Sequence, residues 1–142
     1  MLFPDETIPA APVGAGDSES AGSLILPVCS GSSVSEGDFV NIYYTGSSPT
    51  CVRPADASTI GKEAHGFVRQ TKSAGELVTV YLPGNINELA RLSECTSGVV
   101  PAIGGYTYLS DSDPGAYSMS APTITGHFVQ KLGLPIVTES IT

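Results

Sequence analysis

Residues 76–82 of this chain, Glu76-Leu77-Val78-Thr79-Val80-Tyr81-Leu82, are rich in β-branched and aromatic side chains and end at the turn dipeptide Pro83-Gly84. Side chains of this kind pack well on a pleated sheet, whereas Pro-Gly reverses the chain. This run is the strongest strand signal in the sequence.

A second run, residues 38–44, follows the predicted turn Ser35-Glu36-Gly37 and alternates along a strand's length. A strand sends successive side chains to opposite faces. The two predicted faces are therefore Phe39, Asn41 and Tyr43 on one side, and Val40, Ile42 and Tyr44 on the other.

Shorter β-type runs surround these two. They are residues 23–28, 51–53, 66–70, 105–110, 117–119 and 126–133, with 135–138 as a final edge strand. Residues 86–94 carry the one competing helical pattern, but nine residues form a marginal helix, so we expect one or two turns or an irregular connection. About eight short strands without βαβ alternation predict an all-β fold, a small β-barrel or β-sandwich, in which residues 23–142 form a single β-domain.

Residues 1–22 differ in character and are predicted to form an extended, Pro-rich N-terminal arm. Pro4, Pro9 and Pro12 oppose helix and central strand alike, and residues 14–22 are small, polar and acidic. Two interpretations stay open: a disordered terminus, or an arm that becomes ordered on a partner. In the second, the anchors are the apolar residues Leu2, Phe3, Ile8 and Val13.

The charge balance argues against two classes of partner. The formal net charge is −8, Arg53 is the first basic residue, and the six basic residues do not cluster. Binding to phosphates requires clustered Lys and Arg. We therefore expect neither a direct nucleic-acid partner nor a membrane partner, and no segment has the roughly 18 apolar residues that span a bilayer.

The three cysteines, Cys29, Cys51 and Cys95, are far apart and lack C-x-x-C spacing. Such a set is a poor disulfide framework and a poor zinc site. We expect reduced, small hydrophobic residues in a protein made in a cytosol, although one pair could oxidise after release from the cell.

No catalytic motif is present. The two histidines, His65 and His127, come without a G-x-S-x-G turn, so structural roles are expected for both. Asp111-x-Asp113 lacks the remaining ligands of a calcium loop and is interpreted as a hairpin turn completed by Pro114-Gly115. We predict no catalytic residue, no cofactor and no metal site.

The order of several short motifs carries a resemblance. They are Ser35-x-Gly37-Asp38-x-Val40, Arg53-Pro54-Ala55-Asp56-Ala57, Ala64-x-Gly66-Phe67-Val68, Gly75-Glu76-x-Val78-Thr79-Val80-Tyr81, Gly105-Tyr106-Thr107-Tyr108-Leu109-Ser110, Pro114-Gly115 and Gly126-x-x-Val129-Gln130-x-x-Gly133. The set resembles a small β-domain of tailed-bacteriophage capsid decoration (cement) proteins, head fibres and some tail-fibre modules, over roughly residues 23–142. The chain departs from that pattern at residues 101–105, where the family has Pro-Gly.

The resemblance implies a non-enzymatic structural protein of the virion, often a homotrimer, without cofactors. The expected partner is the major capsid protein, and the expected location is the capsid surface after synthesis in the host cytoplasm. The alternative is a phage fibre or receptor-binding module that recognises a ligand on the host surface.

Overall fold

A computed structural model describes residues 22–44, 46, 50–93 and 105–135, and this part of the chain is all-β, with ten short strands and no helix. The strands are β1 (Ser23–Pro27), β2 (Ser33–Val34), β3 (Phe39–Tyr43), β4 (Cys51–Pro54), β5 (Gly66–Val68), β6 (Lys72–Ser73), β7 (Leu77–Tyr81), β8 (Thr107–Leu109), β9 (Tyr117–Ser118) and β10 (Lys131–Gly133).

Five of the strands form an antiparallel sheet in the order β1-β7-β5-β3-β4. One face of it is built almost entirely from valine. The buried members of this core are Val28, Val34, Val40, Val52, Val68, Val78 and Val80, and Leu26 and Ile42 pack against them. The alternation predicted for residues 38–44 is confirmed, since Val40 and Ile42 of β3 face this core. The strand predicted at residues 76–82 is also present as β7, and its Val78 and Val80 enter the same core.

The five-stranded sheet curls without closing into a barrel. Its two edge strands approach each other only at one end, where Val28 and Val52 form an isolated parallel bridge and the Cys29 amide donates to the Val52 carbonyl at 2.8 Å. At this seam Cys29 and Cys51 are joined by a disulfide.

The prediction of three reduced cysteines is therefore wrong for this pair. The two residues are 22 positions apart and share no motif, and they meet only because the sheet curls. The alternative that one pair of cysteines oxidises agrees with the Cys29–Cys51 disulfide. Cys95 lies outside the described residues.

A second, three-stranded sheet, β10-β8-β9, covers part of the opposite face of the first. Leu109, fully buried, meets Ala55 and Ala57, and Phe39, Ala64, Phe128 and Leu132 pack around them. Phe39 thus faces away from the valine core, as the alternation predicted. β2 and β6 pair as a separate ribbon that the sequence analysis did not predict.

The strand predicted at residues 126–133 is shorter than expected. Only β10 forms, and Gly126 lies in a turn with φ +91°. Before β10 the backbone is bonded to two different segments: the Phe128 amide donates to the Ala57 carbonyl and the Gln130 carbonyl accepts from the Leu109 amide, each at 3.0 Å. The Gln130 side-chain amide also accepts from and donates to the backbone of Ala64, at 2.8 and 2.9 Å. Residues 86–93 form an irregular connection, as expected, and residues 136–138 of the predicted last strand lie outside the described residues.

Candidate functional site

The predicted anchors of the arm, Leu2, Phe3, Ile8 and Val13, lie outside the described residues. The last residue of the predicted arm, Gly22, is described. Gly22 precedes β1, and its carbonyl accepts from the Leu82 amide at 3.2 Å and from Asn85 Nδ2 at 3.3 Å. The base of the arm is therefore held against the end of β7.

The second sheet leaves the outer face of β1 and β7 uncovered. The register pairs Ile25 with Thr79 and Ser23 with Tyr81, so these side chains are neighbours on one face. We call Ile25, Leu77, Thr79 and Tyr81 the β1–β7 strip. Ile25, on the edge strand β1, is 66% exposed, and Leu77, the first residue of β7, is 62% exposed.

An aromatic row leads from the domain core to this strip. Phe39 meets Phe67 edge to face, and Phe67 stacks on Tyr81 with 5.5 Å between ring centroids. Arg69 lies 5.0 Å above the Tyr81 ring, and a shallow cavity of about 260 Å³ opens between Arg69, Gln70, Thr79 and Tyr81. A cavity beside a half-buried tyrosine and an arginine is typical of protein-binding surfaces.

Arg69 is fixed by contacts to three neighbours. Its Nη2 donates to the Ile86 carbonyl at 2.9 Å, its guanidinium lies over the Tyr81 ring, and its Nη1 lies 3.7 Å from Glu88 Oε1. The Glu88 side chain is 71% exposed, so this ion pair is largely screened by water.

Two other cations lie over tyrosine rings at the surface. Arg53 is 3.7 Å from the centroid of Tyr43, and Lys131 Nζ is 4.1 Å from that of Tyr106. Arg53 is also fixed by the buried Asn41, whose Oδ1 accepts from its Nε at 2.9 Å. These pairs join residues that are brought together only by the fold, so the sequence carries no signal for them.

A half-exposed ion network, in which only Asp38 is buried, joins the two sheets. Arg91 Nη2 donates to Asp38 Oδ1 at 2.9 Å and to the Pro114 carbonyl at 3.1 Å, and Arg91 Nη1 donates to Asp113. The Asp38 carboxylate also accepts from the Ser35 amide at 2.9 Å. We call Asp38, Arg91 and Asp113 the Arg91 junction.

The Arg91 junction favours the charged guanidinium. Burial alone would lower the pKa of Arg91, but the hydrogen bonds and negative charges of Asp113 and Asp38 outweigh burial and raise that pKa above its ordinary value. Both ion pairs therefore persist at every pH at which the carboxylates are ionised and the protein is handled.

Both histidines bond to other parts of the chain through Nδ1. His65 Nδ1 accepts from the Ile42 amide at 2.9 Å, and His127 Nδ1 lies 2.8 Å from Asp111 Oδ2. The first contact fixes the loop before β5 to β3, and the second fixes the segment before β10 to the turn after β8.

Asp111 and Asp113 point to different partners, His127 and Arg91, and so do not share a cation site. The turn at Pro114-Gly115 is confirmed, but Ser110 Oγ, and not an aspartate, accepts the amides of Ser112 and Asp113. Within the described ranges no three His, Cys, Asp or Glu side chains are grouped to hold a metal ion. No helix of that part of the chain is long and apolar enough to cross a membrane.

Comparisons with protein-family models, with curated proteins and with solved structures gave no match to this chain.

Proposed function

We propose that this chain is a structural protein of a tailed-bacteriophage virion that decorates the outer surface of the head and stabilises it. In this proposal it has no enzymatic activity, binds the major capsid protein, and assembles as a homotrimer. It is made in the host cytoplasm and ends on the capsid surface. The ordered motifs quoted above support the family, and the architecture supports the role.

The observation that carries the proposal is the junction between arm and domain. Gly22, the last residue of the predicted arm, is fixed to Leu82 and Asn85 at the end of β7, beside the β1–β7 strip. A cement protein needs a firm body and an extension that reaches neighbouring subunits, because its free energy of binding must bridge them. Ordering an extension costs free energy, which several simultaneous contacts offset.

The body is braced in a way that suits a particle exposed to the environment. The Cys29–Cys51 disulfide fastens the seam of the first sheet, and the Arg91 junction fastens the second sheet to it. A disulfide persists in the oxidising conditions outside a cell and is rarely kept in a cytosol. Oxidation after release from the host is consistent with both the proposed site of synthesis and the paired cysteines.

The decisive experiment mixes purified full-length protein with undecorated capsids and measures sedimented protein and the temperature at which the capsids open. We expect saturable binding at a fixed copy number and capsids that survive more heat. The matched variant replaces Leu2, Phe3, Ile8 and Val13 by serine, which keeps the length and charge of the arm. It should keep the fold of the domain and lose capsid binding.

Undiminished binding by the serine variant would contradict the role of the anchors, and no binding by the wild type would contradict the decoration function. The exposed pairs Tyr43–Arg53 and Tyr106–Lys131 favour the fibre or receptor-binding alternative in that case, since aromatic and arginine side chains dominate recognition surfaces. Adsorption of the labelled protein to host cells would then be the test.

A further inference from the structure

We propose that two copies of this chain pair edge to edge through β1, antiparallel and related by a two-fold axis at Leu24. The five-stranded sheet of one copy then continues into the sheet of the other. A two-fold contact uses the same patch on both copies, so the trimer of the proposed function needs a different surface. The pairing does not depend on capsid decoration.

The backbone of β1 bonds alternately toward β7 and toward the open edge of the sheet. Gly22 and Val28, at the two ends of the strand, both bond to residues that flank β7. In an antiparallel ladder every second residue bonds to the same partner strand. Ser23 and Ile25 therefore direct their amide and carbonyl groups away from β7. Among the described strands, β7 is the one neighbour to which β1 is bonded, and the edge approaches β4 only at the Val28 bridge.

β1 lacks the features that protect the other open edges of the two larger sheets. Natural sheet edges are commonly protected by charged residues, prolines or bulges. β4 carries Arg53 and Pro54, and β10 carries Lys131 and a register shift beside β8. β1 reads Ser-Leu-Ile-Leu-Pro, without a charge, and its proline lies next to the seam with β4. β1 is therefore the edge to which a further strand adds most readily.

The hydrogen-bonding groups of this edge fit a second copy in one register. Ser23 and Ile25 each offer one donor and one acceptor. An antiparallel copy that places Ser23 opposite Ile25 therefore forms four hydrogen bonds, two on either side of the axis. Leu24 then lies opposite Leu24 of the partner subunit. A register centred on Ile25 would place Ser23 opposite Pro27, which has no amide proton.

Pairing in this register covers apolar surface and brings no like charges together. Leu24 is 43% exposed, and Ile25 beside it is more exposed still. Opposite residues that do not exchange hydrogen bonds are the closest pairs of an antiparallel sheet, so the two Leu24 side chains cover each other. β1 and β7 contain no charged residue, so the net charge of −8 does not oppose contact at the axis.

The register is tested by oxidative cross-linking of full-length variants that carry one added cysteine and Cys95→Ser. In Leu24→Cys the two Cα atoms are expected about 4.5 Å apart, within the range of a disulfide. In Ser23→Cys and Ile25→Cys the symmetric positions are diagonal, roughly 7–8 Å apart. We expect severalfold more disulfide-linked pairs from Leu24→Cys, although Ile25 is the more exposed residue.

The hydrogen bonds are tested by Ile25→Pro and its matched control Ile25→Val. Proline removes the outward amide proton and hence two hydrogen bonds of each pair, whereas the ladder with β7 does not use that amide. Sedimentation equilibrium should show pairing weakened about tenfold or more by Ile25→Pro and unchanged by Ile25→Val. Similar melting temperatures of the two variants show that β1 still pairs with β7.

Preferential cross-linking at Leu24, together with weaker pairing of Ile25→Pro, supports the proposal. Equal cross-linking at the three positions overturns it. Slow hydrogen exchange of the Ser23 and Ile25 amides that does not change on dilution also overturns it, because another part of the same chain would then occupy the edge. Capsid binding is measured separately, so either proposal can fail while the other stands.

Discussion

Gly115 lies directly against the carboxylate of Asp38: its φ is +87°, and a Cβ at this position would stand 2.6 Å from Oδ1. The same glycine donates its amide to Ala55 and accepts from the Phe39 amide, both at 2.8 Å. The turn of the second sheet therefore reaches the start of β3 by backbone contact, with no room for a side chain. This contact aligns the two sheets.

Replacing Gly115 should lower the stability of the folded domain. We expect Gly115→Ala to lower the free energy of unfolding by about 2–4 kcal/mol, through a positive φ that alanine resists and a collision with a buried carboxylate. Urea denaturation measures the loss. Gly126→Ala is the matched control: its φ is +91° and nothing lies within 4 Å of the added Cβ. It should cost only about 1 kcal/mol, and equal losses at the two sites would contradict the close contact with Asp38.

Removing the arginine of the junction should also destabilise the domain strongly. Arg91→Gln leaves the carboxylate of Asp38, which is 3% exposed, without its cation. Unpairing a buried charge costs several kcal/mol, and since the Arg91 side chain is itself 39% exposed, we expect about 2–4 kcal/mol. Arg69→Gln, which breaks only the exposed pair with Glu88, should cost less than about 1 kcal/mol in the same denaturation assay.

The direction of the Arg91 pKa shift gives this loss a pH dependence. Because the pKa of Arg91 is raised in the folded state, its contribution is fully present below the unfolded pKa and is lost only as the pH rises through the folded value. The difference between wild type and Arg91→Gln should therefore stay constant from about pH 7 to about pH 10. A difference that shrinks over this range would mean that the guanidinium is not held by the two carboxylates.

The strands in which apolar and polar residues alternate could be predicted from the sequence. The alternation lies within a few consecutive residues, because a strand sends successive side chains to opposite faces. Val78 and Val80 enter the core while Leu77 and Thr79 face outward, as the pattern of residues 76–82 indicates. The prediction of a strand at residues 127–130 was wrong for a non-local reason. The backbone of this segment bonds to Ala57 at Phe128 and to Leu109 at Gln130, two distant segments, and no local pattern reports those contacts.

The remaining features depend on contacts between distant parts of the chain. Cys29 meets Cys51 only where the sheet curls, and Arg91 meets Asp38 across 53 positions. Spacing along the sequence contains no signal for either contact. The β1–β7 strip is similar, since exposed Ile25 resembles any buried strand residue until the position of the second sheet is known.

The disulfide should contribute measurably to stability. Closing a loop of this length, with 22 positions between the cysteines, removes entropy from the unfolded chain and is worth about 3 kcal/mol. Thermal unfolding with and without a reductant should therefore differ for the wild type. The variant Cys29→Ser/Cys51→Ser should melt at the same temperature as the wild type in reductant, and adding reductant should not change its melting temperature.

Cys95→Ser is the control that tests whether the third cysteine contributes to the change in melting temperature on adding reductant. It should respond to the reductant as the wild type does, because the pair at the seam is intact. A variant at this position that no longer responds would show that Cys95 takes part in the bond in solution.

Substitutions of two leucines, one buried and one exposed, should differ in their effect on the free energy of unfolding. Leu109 is fully buried between Ala55 and Ala57, so Leu109→Ala should cost about 2–5 kcal/mol of unfolding free energy by leaving a cavity in the second core. Leu77 is 62% exposed on the strip, and Leu77→Ala should change stability by less than about 0.5 kcal/mol. A large loss of stability from Leu77→Ala would instead show that this face is already covered in the folded chain.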